Sequence, residues 1–143
     1  MSEFRRVTAT FSVAPQLALE DFARAAASGF RTVINNRLDG EQPGQPTSAQ
    51  AAAAAKAAGL DYVALPFTGA PAPAIVAETA ALLERAQEPV LAYCRTGTRS
   101  VTAWALAQAL SGANTPEEII ALAADAGYDL SGARGALRQL APD

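Results

Sequence analysis

The sequence predicts an α/β fold, read as a single domain over residues 1–143. It has a mainly parallel central sheet of roughly four to five strands flanked by helices. Three observations predict it. Short β-branched or apolar runs alternate with longer alanine-rich amphipathic runs. Glycine stands just after several of the amphipathic runs, at Gly29, Gly59 and Gly127, where a helix C-terminus needs a left-handed residue. No Pro/Gly/Ser-rich linker or internal repeat divides the 143 residues, of which half are apolar.

Taken in order, Thr8 to Val13 suits a first extended segment. Leu19 to Ser28 reads as a helix closed by Gly29, and Arg31 to Asn35 as a buried strand. Asn36 to Pro46 is a turn-rich loop of Asn, Asp, Gly and Pro. Thr47 is an N-cap for a helix over Ser48 to Ala58, closed by Gly59. Tyr62 to Leu65 is the next strand, followed by the proline-rich loop Pro66 to Pro73. A helix from Ala74 to Ala86 leads to a strand over Pro89 to Tyr93. Ser100 to Leu110 is a fourth helix. Thr115-Pro116 places an N-cap and a proline at N1, opening a fifth helix that runs to Ala126 and stops at Gly127. Ser131 to Leu140 holds a last short helix.

Composition removes several function classes. The 11 basic and 14 acidic residues give a net charge of -3, which leaves no basic stripe for nucleic acid. No apolar run approaches bilayer-spanning length, and the N-terminus has no signal-like apolar stretch, so neither a membrane nor a secretory route is expected. The expected location is the cytoplasm. One cysteine and no histidine argue against multi-thiolate and histidine-based metal sites. No metal and no organic cofactor are expected. Acid–base chemistry is left to carboxylates, tyrosine or lysine.

The chemistry concentrates in Cys94-Arg95-Thr96-Gly97-Thr98-Arg99-Ser100. The only cysteine comes off an apolar strand and precedes a helix. That arrangement surrounds a sulfur with backbone N–H groups and the positive end of a helix dipole. Two arginines add charge. Such surroundings lower a thiol's pKa below roughly 8.5 and cradle an anion. Cys94 is thus the candidate nucleophile and Arg99 the candidate anion ligand, with Arg95, Thr96, Gly97, Thr98 and Ser100 completing the anion-binding loop. Ser100 is placed to donate to the thiolate from the first helical turn. Arg37, Asp39 and Glu41 are candidates for the site mouth or for an acid, against the plainer reading of a solvated turn. Trp104 and Tyr128 read as packing residues, and Lys56 as part of a solvated helix face.

The loop resembles two families. Protein tyrosine and dual-specificity phosphatases carry Cys, five residues, Arg, then Ser or Thr, whereas rhodanese-type sulfurtransferases often carry Cys, four residues, Arg. By length Cys94 to Arg99 sides with the rhodaneses, whose fold is the alternative to a phosphatase-like one. A wider set of blocks resembles the β-lactamase-hydrolase-like phosphatase domain family (DUF442). These are Gly29 to Arg37, Asp39-Gly40-Glu41, Gln45-Pro46, Ala58-Gly59-Leu60, Pro89 to Ser100 and Ala126 to Leu130. The resemblance implies a phosphatase-like fold and candidate sulfur transferase activity. It also implies fusion or association with persulfide-metabolising enzymes.

Both chemistries need a thiolate in an anion cup, and three departures from the phosphatase pattern favour sulfur transfer. The loop is one residue shorter, which closes a smaller ring of donors. Pro66 to Pro73, where the resemblance would place an aspartic acid, holds no acid. Tyr93 stands where a phosphatase has histidine. Sulfite or a thiolate leaves as an anion and needs no proton. The leading expectation is therefore a transferase that moves sulfane sulfur from a small anionic donor through a Cys94 persulfide. A phosphatase acting on a phosphoester through a phosphocysteine is the alternative. A silent module that binds an anion or persulfide is the third.

Overall fold

Every strand of the sheet is only four residues long, and the chain orders them so that the cysteine strand is central. The structure is a computed structural model that describes residues 3–142. Met1, Ser2 and Asp143, the ends of the expected 1–143 domain, lie outside the described residues. The strands are β1 (Arg5–Thr8), β2 (Phe11–Ala14), β3 (Thr32–Asn35), β4 (Asp61–Ala64) and β5 (Val90–Tyr93). Their order across the sheet is β1-β2-β5-β3-β4. Only β1–β2 is antiparallel, and β5 pairs in parallel with both β2 and β3.

The helices are α1 (Leu19–Ala27), α2 (Ser48–Ala58), α3 (Pro73–Arg85), α4 (Thr98–Ser111), α5 (Pro116–Asp125) and α6 (Arg134–Leu140). The alternation read from sequence is the alternation observed, with boundaries moved by a residue or two. Thr47 caps α2 and Thr115 caps α5. Each threonine hydroxyl accepts from the third helical N–H, and Gln50 or Glu118 reaches back to the cap N–H. α4 starts at Thr98, two residues before the expected Ser100, because Gly97 takes a left-handed conformation (φ 95°) and serves as its N-cap. The final helix is split, with a 3-10 turn at Ser131–Ala133 ahead of α6.

The expected single segment Thr8 to Val13 is corrected. A tight turn at Ala9-Thr10 folds it into the β1–β2 hairpin. The turn lacks the Gly, Asn or Pro that usually announce one. The Thr8 hydroxyl instead accepts from the Thr10 N–H at 3.2 Å.

Period-two alternation splits β5 between two cores. Val90 and Ala92 join Trp104, Val101, Leu82 and Ile119 on the face covered by α3 to α6. Leu91 and Tyr93 join Phe22, Leu17 and Ala55 on the face covered by α1 and α2. A strand buried on both faces reads as a continuous apolar run. Each large side chain so buried contributes about 1.5–3 kcal/mol. Trp104 stacks on Phe11 with centroids 5.6 Å apart, in keeping with a packing role. Among the described residues, no helix is long and apolar enough to cross a membrane.

This order places four strand C-termini side by side. The segments that leave them, at Pro15, Asn36, Leu65 and Cys94, form one edge, where α/β sheets bind ligands.

Candidate active site

Cys94 follows β5 directly and is 1% exposed. The chain turns sharply at Gly97, whose N–H donates to Cys94 Sγ at 3.1 Å. α4 then leaves with its N-terminus beside the sulfur. Arg95, Thr96 and Thr98 are exposed. The Arg95 carbonyl accepts from the Gln16 N–H at 3.2 Å, which ties the loop to the end of β2. Thr96 donates its hydroxyl to Thr98 at 3.0 Å.

Arg99 projects from the first turn of α4. Its two terminal nitrogens donate to both oxygens of Glu41 at 2.8 Å each, and Nη1 also donates to the Phe67 carbonyl at 3.1 Å. A planar guanidinium facing a carboxylate in this way is a strong charge-assisted pair. Its pKa is raised, first by the Glu41 hydrogen bond and further by the charge of Cys94 and a side-chain hydrogen bond to it. Burial acts the other way.

Glu41 serves a second arginine. Arg37 Nε donates to Glu41 Oε1 at 2.7 Å, Nη1 to Gln16 Oε1 at 2.9 Å and Nη2 to Gln42 Oε1 at 3.0 Å. Arg37 lies beneath the rim rather than on it, with a side chain 1% exposed. Each of its three nitrogens has an acceptor, as a buried charge requires. The Arg99 hydrogen bond, then Arg37, the charge of Arg99 and the Leu38 N–H, hold the Glu41 carboxyl at about 2 against the effect of burial. Glu41 is therefore ionised near neutral pH and has no proton to give. Asp39 is exposed and accepts from the Ser48 N–H at 2.7 Å, at the start of α2.

Ser100 Oγ donates to Asn36 Oδ1 at 2.8 Å, while Asn36 Nδ2 donates to the Leu65 carbonyl at 2.9 Å. The amide orientation is fixed by these two bonds, so the one hydroxyl proton of Ser100 is directed at Asn36 and not at the sulfur. Burial, then Tyr62 and Asp39, push the Tyr93 hydroxyl well above its ordinary value, so Tyr93 keeps its proton.

The structure brings Cys94, Gly97, Arg99, Glu41 and Arg37 together and leaves Asp39 on the loop surface. Several participants carried no reading of their own in the sequence. Asn35 binds the Arg37 N–H and the Tyr62 hydroxyl, and Asn36 holds Ser100. Two successive asparagines at a strand C-terminus, on the ligand-binding edge, were the available signal. Gln16 and Gln42 gave none. Tyr128, read as packing, is buried but also donates its hydroxyl to the Thr96 carbonyl at 3.1 Å. Among the described residues no group of three or more His, Cys, Asp or Glu side chains could hold a metal ion.

Residues 3–111 match the family "Beta-lactamase hydrolase-like protein, phosphatase-like domain". The Beta-lactamase hydrolase-like protein of Agrobacterium fabrum is 38% identical over 132 residues, which are 90% of this chain and 30% of that protein. The chain thus spans about a third of the length of that curated relative. A Neisseria meningitidis crystal structure, described as that of a candidate phosphatase, superposes with a TM-score of 0.83 at 33% identity. The match covers 95% of this chain and 96% of that one. Tk-PTP in its active form superposes with a TM-score of 0.71 at 17% identity, over 96% and 95% of the two chains. That likeness shows the fold, which is protein tyrosine phosphatase-like rather than rhodanese-like.

Proposed function

Since this chain belongs to the family of the phosphatase-like domain of Beta-lactamase hydrolase-like proteins, we propose that it is a cysteine-dependent sulfurtransferase built on a phosphatase-like scaffold. What favours sulfur over phosphoryl is the state of the groups that could protonate a leaving oxygen. Glu41, the carboxyl group paired with Arg99, is held ionised at about 2. The loop over residues 66–73 contains no acid, and the Tyr93 proton is held firmly. An alkoxide leaving from phosphorus needs that proton. A thiolate or sulfite leaving from sulfur does not.

In the first half-reaction the Cys94 thiolate attacks the outer sulfur of a persulfide or thiosulfate. A new S–S bond forms to Cys94, the donor's S–S bond breaks, and the thiolate or sulfite departs with the electron pair. The Gly97 N–H and Arg99 balance negative charge on the donor. In the second half-reaction an acceptor thiolate attacks the terminal sulfur and Cys94 leaves as thiolate, a ping-pong scheme with no net oxidation. A persulfide-metabolising partner belongs to the same proposal, and the remainder of the longer relatives is the place to seek that activity.

Phosphoester hydrolysis through a phosphocysteine is the second reading, favoured by the phosphatase-like family and fold. It would be confined to aryl esters, whose leaving groups need less protonation. Incubation with thiosulfate followed by intact-mass measurement separates the two. Sulfur transfer adds about 32 Da to Cys94, removable by thiol. Aryl phosphate turnover with Cys94 never carrying sulfur would overturn the proposal.

A further inference from the structure

Among the described residues, the Thr96–Gly97 peptide supplies the backbone hydrogen bond to the Cys94 sulfur, and both of its polar ends are engaged. At one end the Gly97 N–H donates to Cys94 Sγ at 3.1 Å. At the other, the Thr96 carbonyl accepts from the Tyr128 hydroxyl at 3.1 Å. In a trans peptide the N–H and C=O point in opposite directions. Holding the carbonyl therefore aims the N–H.

Sterics do not choose this orientation. Gly97 stands at φ 95°. Turning the peptide over would move it to negative φ, and glycine occupies both regions with similar ease. Something else must select the state in which the N–H faces the sulfur.

Tyr128 is well placed to do so. It follows α5 and is anchored through its own N–H to the Ala123 carbonyl at 2.9 Å. The Arg5 guanidinium lies over its ring, 5.4 Å from the centroid. Its hydroxyl lies so close to Gly97 that a methyl group there would collide with it. Burial, helped by the charge of Cys94 and opposed by Arg5, raises the Tyr128 pKa, so the donated proton stays in place across the neutral range.

We infer that Tyr128 is a positioning residue, whose hydroxyl locks the Thr96–Gly97 peptide with its N–H on Cys94 Sγ and thereby favours the thiolate over the thiol. The inference rests on Cys94 being the nucleophile, but is indifferent to whether sulfur or a phosphoryl group is transferred. The charged and titratable side chains that face Cys94 are Arg99, paired with Glu41, and Tyr128, over whose ring Arg5 lies.

The test is Tyr128→Phe, which keeps the ring and removes the lock. The readout is the pH profile of Cys94 alkylation by iodoacetamide, followed by intact mass, since Cys94 is the only cysteine. One lost N–H donor raises the midpoint by about one pH unit. An unchanged or lowered midpoint overturns the inference, whatever happens to melting temperature. A second measurement needs no variant. In the unmutated protein the Gly97 amide proton resonance moves as Cys94 titrates, and a resonance that ignores the titration overturns the inference equally. Neither readout uses a substrate, so failure of sulfur transfer and failure of the lock are distinguishable.

Discussion

Two loops on the same edge of the sheet build the site by opposite means. The cysteine loop between β5 and α4 works through backbone: a glycine turn, an N–H aimed at sulfur and a helix N-terminus, all within seven consecutive residues. The loop between β3 and α2 works through side chains, with Arg37 and Glu41 forming a charged cluster closed by Arg99, 58 residues beyond Glu41. A backbone donor has no rotamer freedom of its own to lose, and here the one supporting side chain is Tyr128, whose hydroxyl donates to the Thr96 carbonyl. Long charged side chains must be ordered and desolvated, and every polar atom must find a partner. The difference teaches where each loop is vulnerable. The first fails by losing its candidate nucleophile or its turn, the second by losing one partner of a shared ion cluster.

The largest effect is expected in the first loop. Cys94→Ser replaces the thiolate with a hydroxyl that is not ionised at neutral pH and should lower turnover by at least about 10³-fold. The fold should be kept, which circular dichroism and steady-state kinetics together would show. Retained turnover would remove the distinction altogether. Arg99→Lys probes the point where the two loops meet. A lysine cannot reproduce the two-pronged contact with Glu41, and a drop of about 10²-fold in kcat/KM is expected.

Glu41→Gln tests the same junction from the side of the second loop. The carboxyl is lowered from the usual 4.5 to about 2, so its folded value lies below its unfolded one. Such a group contributes stability that is fully present above the unfolded value and is lost as pH falls through the folded one. The parent protein should therefore lose stability between about pH 4.5 and 2 in a step that Glu41→Gln lacks. At neutral pH the variant should be less stable by about 1–2 kcal/mol, less than the full shift because solvent screens the partly exposed carboxyl, read by urea unfolding. An acid limb identical in both proteins would deny the cluster its energetic role.

Gly97→Ala combines an unfavourable φ with a collision at the Tyr128 hydroxyl, and should cost about 1–3 kcal/mol of stability. Adding Tyr128→Phe should recover only the part due to the collision. Arg95→Ala should change kcat/KM the least, by no more than a few-fold, because its side chain is exposed and the loop uses its carbonyl instead. A large loss there would show that the cysteine loop, too, depends on a charged side chain.

The features legible in the sequence are those whose cause is local. The β5 strand announced itself because both its faces are buried and its run is uninterrupted. The caps at Thr47 and Thr115 were readable because a capping box spans four residues. The Cys94 loop was readable as a candidate anion cup because its cysteine, glycine and arginines stand in adjacent letters. The β1–β2 turn was missed because Thr8-Ala9-Thr10 carries no common turn residue, and a side-chain hydroxyl takes that part.

The sequence by itself determined the alternation of strands and helices, the position of the candidate nucleophile and the lack of an acid over residues 66–73, because propensity, periodicity and composition are properties of short stretches. Only the tertiary structure decided the partners. Glu41 reaches Arg99 across 58 residues, Asn36 takes the Ser100 proton across 64 and Tyr128 holds Thr96 across 32. These pairs exist because the parallel sheet brings four strand ends to one edge and packing returns the segment after α5 to the cysteine loop. No one-dimensional pattern encodes a contact whose two halves are individually ordinary residues.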